Sequence, residues 1–390
     1  MDSPEYSTIM EALTTITDPR KARGKRHGWV TLLTIIVAAL ASNYQTPRAI
    51  AQWAHEQADA LRTALPQLRR IPSESTIRRT IHALSATELE TLLARVQLPI
   101  PSPAQDAPCI ITPHGERLQG QALDGKTVRT ASAHGQRTHL VSLVQHGSAR
   151  TIAQVQTASK QAEVTASQTL LRQCDLTSTV TTMDAGLTHR GLAEQIREQG
   201  GHYLMMVKKN HPQMYAEIAT FFELEGIVAD QEQFDRVQTV SKGHGRLEIR
   251  TLECLSGSCA DWRWPDASQV IRRTCERIIL KSGKRTVEVS YGLSCLSAEE
   301  AGAAALEQLW RGHWTIENRK HYVRDVTLGE DRHPMYTGEA PQVLAALRNA
   351  LIDGWRARGW TNIADAVRHM ALSVQRALSF IGAIPSATLT

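Results

Sequence analysis

Three acidic residues that lie far apart in the sequence have the types and positions for metal-assisted chemistry: Asp124, Asp184 and Glu317. Asp124 lies within a predicted strand, Asp184 directly follows another, and Glu317 lies within a predicted helix. Each acid taken alone is better explained as a turn, cap or solvated helix residue. Together, carboxylates from several elements can supply the hard oxygen ligands that two Mg²⁺ ions about 4 Å apart require. Two such ions favour phosphodiester displacement, in which nucleophile and target are both negatively charged.

The three acids are positioned by a predicted α/β region that begins after residue 116. Hydrophobic patterning predicts strands over 118–130, 139–145, 151–156, 178–183 and 202–207, with helices over 163–172, 189–199 and 212–224. Three strands followed by alternating helices and strands predict an α/β fold with a mixed sheet and helices on its faces. A β-rich stretch at about 230–297 is predicted to be an insertion with its own small sheet. A helix over 298–323 follows and contains Glu317.

Helical segments precede and follow this region. Residues 1–98 predict helices over 31–41, 47–64, 75–84 and 85–96, and residues 341–390 predict helices over 341–358 and 363–378. A proline-rich linker is predicted at 99–116. The stretch 75–84 could be the reading helix of a helix-turn-helix, with Arg78 and Arg79 facing phosphates or guanines. A plain helical bundle for assembly explains the same pattern nearly as well. The predicted domains are therefore 1–98, 117–340 and 341–390.

The composition is that of a folded protein with an anionic partner. The chain has 390 residues, 42% of them hydrophobic and 21% charged, with a formal net charge of +5. These values exclude wholesale disorder, and the longest apolar run is too short to span a bilayer. The six cysteines are scattered without a C-x-x-C pair, which predicts reduced thiols in the cytosol. The polar, acid-containing start of the chain is not typical of a signal peptide.

Several longer motifs resemble one protein family, the DDE transposases of bacterial insertion sequences, in the H-repeat-associated branch (ISAs-like). The resemblance extends over roughly residues 15–355. Its most specific part is Arg-Gly-His-Trp-Thr-Ile-Glu-Asn at 311–318, continued by Asp-Val-Thr-Leu-Gly-Glu-Asp at 325–331. The other matching motifs are Asp-Pro-Arg at 18–20, Ser-Glu-Ser-Thr-Ile-Arg-Arg at 73–79, Ala-Leu-Asp-Gly-Lys-Thr-Val-Arg at 122–129, and segments at 180–185, 203–212 and 244–250.

The resemblance implies an RNase H-like catalytic core, a mixed five-stranded sheet with helices, which carries the β-rich insertion. It implies that Asp124, Asp184 and Glu317 bind two Mg²⁺ ions, which Mn²⁺ can replace. The expected reaction is cleavage and strand transfer at the ends of an insertion sequence. The expected partners are double-stranded DNA and a second copy of the chain, in the cytoplasm at the nucleoid, with no membrane and no nucleotide cofactor.

Basic and polar side chains near these acids are candidates for DNA contacts, although solubility explains them as well. Those that flank the predicted cleft are Lys126, Arg129, Lys208, Lys209 and Asn210. The resemblance adds His244 and Arg246 from the insertion. Related transposases have Tyr, Arg and Lys around the glutamate, where this chain has Trp310, His313 and Arg324, so the contacts to the DNA end are expected to differ. Of these, His313 and Arg324 are predicted to contact DNA. Trp310 and Trp314 are expected to pack in the core, although one could stack on a flipped base.

Two other functions fit the same residues. An RNase H-like nuclease would cleave DNA without joining it, and the three acids alone do not distinguish it from a transposase. An inactive DNA-binding remnant of a mobile element would keep the fold. The presence of all three acids argues against the remnant.

Overall fold

Thirteen α-helices are found in the part of the chain that the computed structural model describes, residues 5–21, 25–98, 109–133, 136–157, 159–228, 235–256, 264–332, 335 and 337–385. In chain order they are α1 (Ile9–Thr14), α2 (Trp29–Ala41), α3 (Pro47–Glu56), α4 (Ala58–Ala64), α5 (Glu74–Ala83), α6 (Ala86–Ala94), α7 (Glu163–Leu171), α8 (Arg190–Glu198), α9 (Pro212–Val228), α10 (Ala303–Ile316), α11 (Ala340–Ala357), α12 (Ile363–Ala371) and α13 (Val374–Ile381). The helical N-terminal region is therefore confirmed.

Side-chain caps decide where several N-terminal helices begin. The hydroxyls of Thr46, Ser73 and Ser85 each accept a hydrogen bond from the backbone N–H three residues further on. The single helix predicted over 47–64 was wrong, because the backbone at Gln57 (φ −98°, ψ 19°) leaves the helical conformation. The single helix over 363–378 is likewise divided, into α12 and α13. The short helix α1 was not predicted.

The N-terminal and C-terminal helices share one hydrophobic core. Trp355 of α11 is fully buried in it with Leu40 of α2 and Ile77 of α5, and Ile381 of α13 belongs to the same cluster. The two sets of terminal helices, which were predicted as separate segments, therefore pack around a common core. The two sets bury apolar faces against each other, and together they form one bundle.

Ten strands form one mixed sheet. They are β1 (Cys109–Ile111), β2 (Arg117–Ala133), β3 (Gln136–Gln145), β4 (Thr151–Thr157), β5 (Thr179–Met183), β6 (His202–Val207), β7 (Asp235–Gly243), β8 (Arg246–Ser256), β9 (Gln269–Ile279) and β10 (Arg285–Ser294). Their order is β4-β3-β2-β5-β6-β10-β9-β8-β7, with β1 paired to β2. The mixed α/β class is confirmed, whereas the number of strands was underestimated.

The insertion does not form a separate sheet. β10 pairs antiparallel with β6, so that Tyr291 lies opposite Val207, and this pairing joins β7–β10 to the earlier strands. The edge of β6 carries unpaired backbone groups that a neighbouring strand satisfies, which extends the sheet to ten strands. β7 was not predicted, because most of its side chains are exposed on both faces and give no alternation.

The segment between the bundle and the sheet is only partly a linker. Residues 99–108 lie outside the described residues. Cys109–Ile111 form β1, which pairs antiparallel with the start of β2. No helix of the described residues has the length and apolarity needed to cross a membrane.

Candidate catalytic site

Asp124 and Asp184 lie side by side on two neighbouring central strands of the sheet. β2 and β5 are parallel neighbours, with Leu123 paired to Met183, and each aspartate is the next residue along its strand. Asp184 directly follows β5, where Oδ1 accepts hydrogen bonds from the backbone N–H groups of Gly186 (2.9 Å) and Leu187 (3.1 Å). These bonds orient the Asp184 carboxylate at the carboxyl end of its strand, the position at which functional groups gather in α/β sheets.

Asp124 is held in an environment that disfavours its negative charge. Burial, together with the charges of Asp184, Glu317 and Glu163, raises the pKa of this carboxyl to about 8. Its Oδ1 accepts a hydrogen bond from the Gly125 backbone N–H at 2.8 Å. Since like charges raise a carboxyl pKa only when they are close, Asp184 and Glu317 lie near enough to Asp124 to disfavour its ionisation.

Glu317 lies at the point where helix geometry changes. α10 ends at Ile316, and a π-helical turn (Glu317–His321) continues it, so the helix predicted over 298–323 begins at Ala303 and changes from α to π geometry at Glu317. Such π-helical turns are frequent at functional sites. The Glu317 side chain is exposed, and His321 in the same turn brings Nδ1 to 3.5 Å from Asp124 Oδ2. The π-helical segment therefore lies close to Asp124.

A buried histidine and two glycines set the distance between α10 and the sheet. A Cβ on Gly120 of β2 or on Gly312 of α10 would overlap the ring of His146. His146 Nε2 lies 3.0 Å from Thr182 Oγ1, and the same hydroxyl lies 3.1 Å from His313 Nδ1. Only a residue without a side chain lets the helix approach this closely, so these contacts position the helix that leads to Glu317.

The three acids fit a divalent cation by their chemistry. Carboxylate oxygens are the ligands that Mg²⁺ prefers, and clustered negative charge that raises a carboxyl pKa is relieved by a cation. Within the described ranges, however, no group of three or more His, Cys, Asp or Glu side chains is arranged closely enough to hold a metal ion. The three carboxylates are thus chemically suited to a metal ion, but they do not lie close enough together to form a complete ligand set.

Comparison with known proteins identifies the family. The family model described as "Transposase DDE domain" matches residues 116–352, more than half of the chain. This chain belongs to the DDE transposases. A second model, "DDE_Tnp_1-associated", matches residues 10–96, the N-terminal helices of the transposase. The chain is thereby assigned to enzymes of DNA transposition, which cleave DNA, and DDE domains generally use divalent metal ions.

Relatives of similar length support the assignment. The Escherichia coli K12 protein "H repeat-associated putative transposase YhhI" is 26% identical over 360 residues, 90% of each chain. The protein "Putative transposase YncI" of Escherichia coli O157:H7 is 23% identical and spans 89% of this chain and 86% of its own. A solved structure of the piggyBac transposase synaptic complex with hairpin DNA has a TM-score of 0.39 and 8% identity, over 98% of this chain and 78% of that chain. A likeness at that TM-score supports no conclusion about this transposase.

Three side chains that were predicted to contact DNA are buried and form contacts inside the protein instead. Lys126 is 7% exposed, and Nζ donates to both oxygens of Asp325 at 2.5 and 2.6 Å. Arg324 is 1% exposed, and Nε donates to the Glu330 carboxylate at 3.1 and 2.9 Å. His313 is buried between α10 and β5, where burial lowers its pKa to about 4. Because burial and pairing hold these groups away from solvent, we do not retain them as direct DNA contacts.

Other predicted contacts are exposed beside the site. Lys208, Lys209 and Asn210 follow β6 and are exposed, and Asn210 Nδ2 donates to the Ala185 carbonyl at 2.6 Å. That bond ties the loop after β6 to the loop after Asp184. Arg129 lies on β2, and its side chain is outside the described residues.

A cationic cleft of about 420 Å³ opens between the insertion strands and α10. We call it the insertion cleft, and its basic lining residues are Lys208, Arg246, Arg250, Arg273, Arg277 and Arg311. Trp314 also lines it and is 53% exposed, so the expectation that this side chain packs in the core was wrong, whereas Trp310 is buried. His244 is exposed at the β7–β8 turn with φ 50°. Arg311 and Trp314 of α10 are thus exposed at the cleft, on the helix that leads to Glu317.

Sequence reasoning missed two residues that shape the site. Glu163 approaches so closely that a Cβ on Gly125 would overlap its carboxylate, and its Oε1 lies 3.1 Å from His139 Nε2. His146 separates α10 from the sheet. An acid that begins a helix directly after the third strand was a signal for Glu163, whereas nothing in the sequence distinguished His146 from an ordinary core histidine.

Proposed function

We propose that this transposase cleaves DNA and transfers strands at one site formed by Asp124, Asp184 and Glu317 with two Mg²⁺ ions. The observation that carries the proposal is the parallel pairing of β2 with β5, which puts the two aspartates next to each other. The effect of Glu317 on the pKa of Asp124 supports its inclusion. Such clustered acids on different elements are what divalent-metal phosphodiester chemistry requires.

The contacts of the three acids indicate the role of each in the proposed reaction. When bound, the metal ions would supply an activated oxygen nucleophile and charge stabilisation for the leaving oxygen. Asp124 must lose its proton to act as a ligand, and Asp184 is already oriented by two backbone N–H groups. Glu317, exposed on its π-helical turn, would be the third carboxylate ligand.

We further propose that β2 to β6 form an RNase H-like core. Their order within the sheet is β4-β3-β2-β5-β6, with antiparallel pairing from β2 to β4 and parallel pairing from β2 to β6. This supports a five-stranded core to which the insertion strands are added at β6. In this order the two aspartates belong to β2 and to the end of β5, the first and fourth strands of the proposed core in chain order.

The substrate of this site is double-stranded DNA, and we propose that its end enters through the insertion cleft. Six Lys or Arg side chains line that cleft with two acids, Glu248 and Glu288, which leaves an excess of positive charge. Lys209 and Arg246 are exposed at this side of the sheet and suited to phosphate oxygens. Because transposition requires two DNA ends to be brought together, the active form on DNA is proposed to be a homodimer, acting at the bacterial nucleoid.

The test separates binding, cleavage and joining with a conservative substitution, Asp184→Asn, and the matched control Asp175→Asn, an exposed aspartate in the loop before β5. Binding to a duplex from the end of the element is measured without metal, and cleavage and joining with Mg²⁺. Asp184→Asn is expected to bind normally and to lose cleavage and joining on the order of 10³-fold, since several kcal/mol of metal stabilisation are removed. Asp175→Asn is expected to retain all three.

The same assays decide between the alternatives. Cleavage without any joining of a precut 3′-hydroxyl end would identify a nuclease. Binding without cleavage by the unsubstituted chain would identify an inactive remnant. Equal cleavage by the Asp184→Asn and unsubstituted proteins would contradict the assignment of the site.

A further inference from the structure

Residues 316–327, which we call the glutamate segment, lie along β2. The first residue of the segment, an isoleucine, belongs to one buried apolar cluster with Ala122 of β2. Two residues further along the strand, Oδ2 of Asp124 lies 3.5 Å from Nδ1 of His321. Glu317 falls between these two contacts in the sequence. The place of Glu317 relative to Asp124 therefore depends on the register of the segment, that is, on which of its residues lie beside which residues of β2.

A third contact continues this register one step further. Asp325 follows His321 by four residues, about one helical turn, so the two side chains share one side of the segment. Lys126 follows Asp124 by two residues and shares its side of β2. Nζ of Lys126 donates to both carboxylate oxygens of Asp325, at 2.5 and 2.6 Å. The ion pair and the histidine contact thus match the same side of the segment to the same side of the strand.

The ion pair resists a change of register more strongly than an apolar contact does. Lys126 is buried, and Asp325 is half-buried. A shift of the segment by one residue would carry the carboxylate away and leave the ammonium group in the interior without its counter-ion, which is strongly unfavourable. The contact of Ile316 with Ala122 tolerates small displacements, because apolar packing is not directional. The pair of Lys126 with Asp325 is therefore the contact that selects one register.

The opposite side of the glutamate segment is tied to the helical bundle. Lys320 pairs with Asp353 of α11, and Nε of Arg324 donates to Glu330 at 2.9 Å. Glu330 in turn pairs with Arg348 of α11 at 3.2 Å. These contacts hold the segment to α11. If the ion pair to β2 is removed, the segment follows the bundle instead of the catalytic strand, and the glutamate that it carries is displaced from the two aspartates.

From these contacts we infer that Asp325, held by Lys126, is a positioning residue of the catalytic site. The pair fixes the register of the glutamate segment on β2 and thereby sets how Glu317 faces the metal ions. Both oxygens of Asp325 are engaged by Lys126, so the residue acts through Glu317 and is not itself a ligand. Replacing partners that orient metal ligands in this way typically costs about 10- to 100-fold in metal affinity or activity. The inference rests on the proposal that the three acids bind divalent metal ions.

The experiment removes the ion pair by Lys126→Met in the full-length protein and measures Mn²⁺ binding by calorimetry without DNA. The sign of the change separates positioning from simple electrostatics. Loss of a positive charge two residues from Asp124 strengthens the binding of a cation if charge alone acts, whereas loss of the register weakens it. The matched control is Lys208→Met. It removes an exposed lysine directly after β6, the neighbour of the strand that leads to Asp184.

Lys126→Met is expected to weaken Mn²⁺ binding on the order of 10-fold, whereas Lys208→Met is expected to leave it unchanged or tighter. Lys126→Arg keeps a cation that can donate to both oxygens and should bind Mn²⁺ nearly as tightly as the unsubstituted protein. In cleavage assays, the Mg²⁺ concentration for the half-maximal rate should rise in Lys126→Met by a factor similar to the loss of Mn²⁺ affinity, while KM for the DNA end stays the same. A general loss of stability would not produce this separation.

Circular dichroism establishes that each variant is folded at the temperature of the assay. Lys126→Met with Asp325→Asn provides a second variant if the single substitution is unstable, because it leaves no unpaired buried charge. This double variant keeps the net charge of the protein and is likewise expected to bind Mn²⁺ more weakly than the unsubstituted protein.

Two results would overturn the inference: Mn²⁺ binding by folded Lys126→Met that is at least as tight as that of the unsubstituted protein, or an equal loss in Lys208→Met. Failure of the proposed function is recognised separately, because the unsubstituted protein would then bind Mn²⁺ no better than Asp184→Asn. In that case amide hydrogen exchange of the glutamate segment, measured without metal, tests the register. Faster exchange in Lys126→Met than in Lys208→Met would support the ion pair as the contact that fixes the segment, and equal exchange would contradict it.

Discussion

Gly312 of α10 directly faces the imidazole of His146, so that a Cβ at Gly312 would overlap the ring. His146 in turn lies against Thr182 of β5, two residues before Asp184. The distance between the helix that leads to Glu317 and the strand that ends at Asp184 is therefore set by one glycine and one buried ring.

Gly312→Ala is expected to push α10 away from the sheet and displace Glu317. A misplacement of about 1 Å can reduce catalysis on the order of 10²-fold. DNA cleavage is measured with binding as the internal control, which should change little. The double variant Gly312→Ala with His146→Ala restores the space, and it should recover activity above that of the single glycine variant. No recovery, with the fold intact, would show that this contact does not position the helix.

Lys320→Met is expected to destabilise the fold by about 3–5 kcal/mol, because it leaves the buried carboxylate of Asp353 without its cation. Lys320 is 1% exposed in the π-helical turn, and it pairs with Asp353 of α11. Thermal unfolding gives the measurement. The double variant Lys320→Met with Asp353→Leu should unfold at a higher temperature than Lys320→Met, and a still lower temperature would contradict the explanation.

Glu90→Gln is expected to change how stability depends on pH. Burial raises the pKa of Glu90 to about 7 in the folded chain from 4.5. Between these values the unfolded chain has lost the proton that the folded chain keeps, so stability falls as pH rises, by up to about 3 kcal/mol. The side chain accepts hydrogen bonds from Gln154 (2.8 Å) and Gln342 (2.9 Å), and the substituted amide can accept one as well.

The measurement for Glu90 is the unfolding temperature of both proteins from pH 5 to 7.5. Glu90→Gln should lose less stability than the unsubstituted protein across this window, with the difference growing up to about pH 7. Other titrating groups are the same in both proteins and cancel in the comparison. Parallel curves would mean that Glu90 ionises normally.

Substitution by alanine should affect different properties at two lysines near the site: DNA binding at Lys209 and thermal stability at Lys126. Lys209→Ala removes an exposed cation, and is expected to make the slope of log DNA affinity against log salt shallower by about 1 with unchanged thermal stability. Lys126→Ala breaks the buried pair with Asp325 and is expected to lower the unfolding temperature. A larger salt effect for Lys126 than for Lys209 would restore Lys126 as a direct DNA contact.

The sequence by itself determined the elements and their chemistry. Alternating and helical periodicity, together with caps such as Ser85, identified most strands and helices to within a few residues, because these patterns express which face of each element is buried. The same local information singled out Asp124, Asp184 and Glu317 as candidate acids, and the family resemblance is confirmed by the match to the transposase domain.

Only the tertiary structure decided which groups meet. The joining of β10 to β6, the shared core of the terminal helices and the burial of Lys126 depend on contacts between residues distant in sequence. A lysine has the same local pattern whether an aspartate 199 residues away neutralises it or water surrounds it. Pairing and burial are properties of the folded chain, so a charge that sequence assigns to DNA can belong to the core.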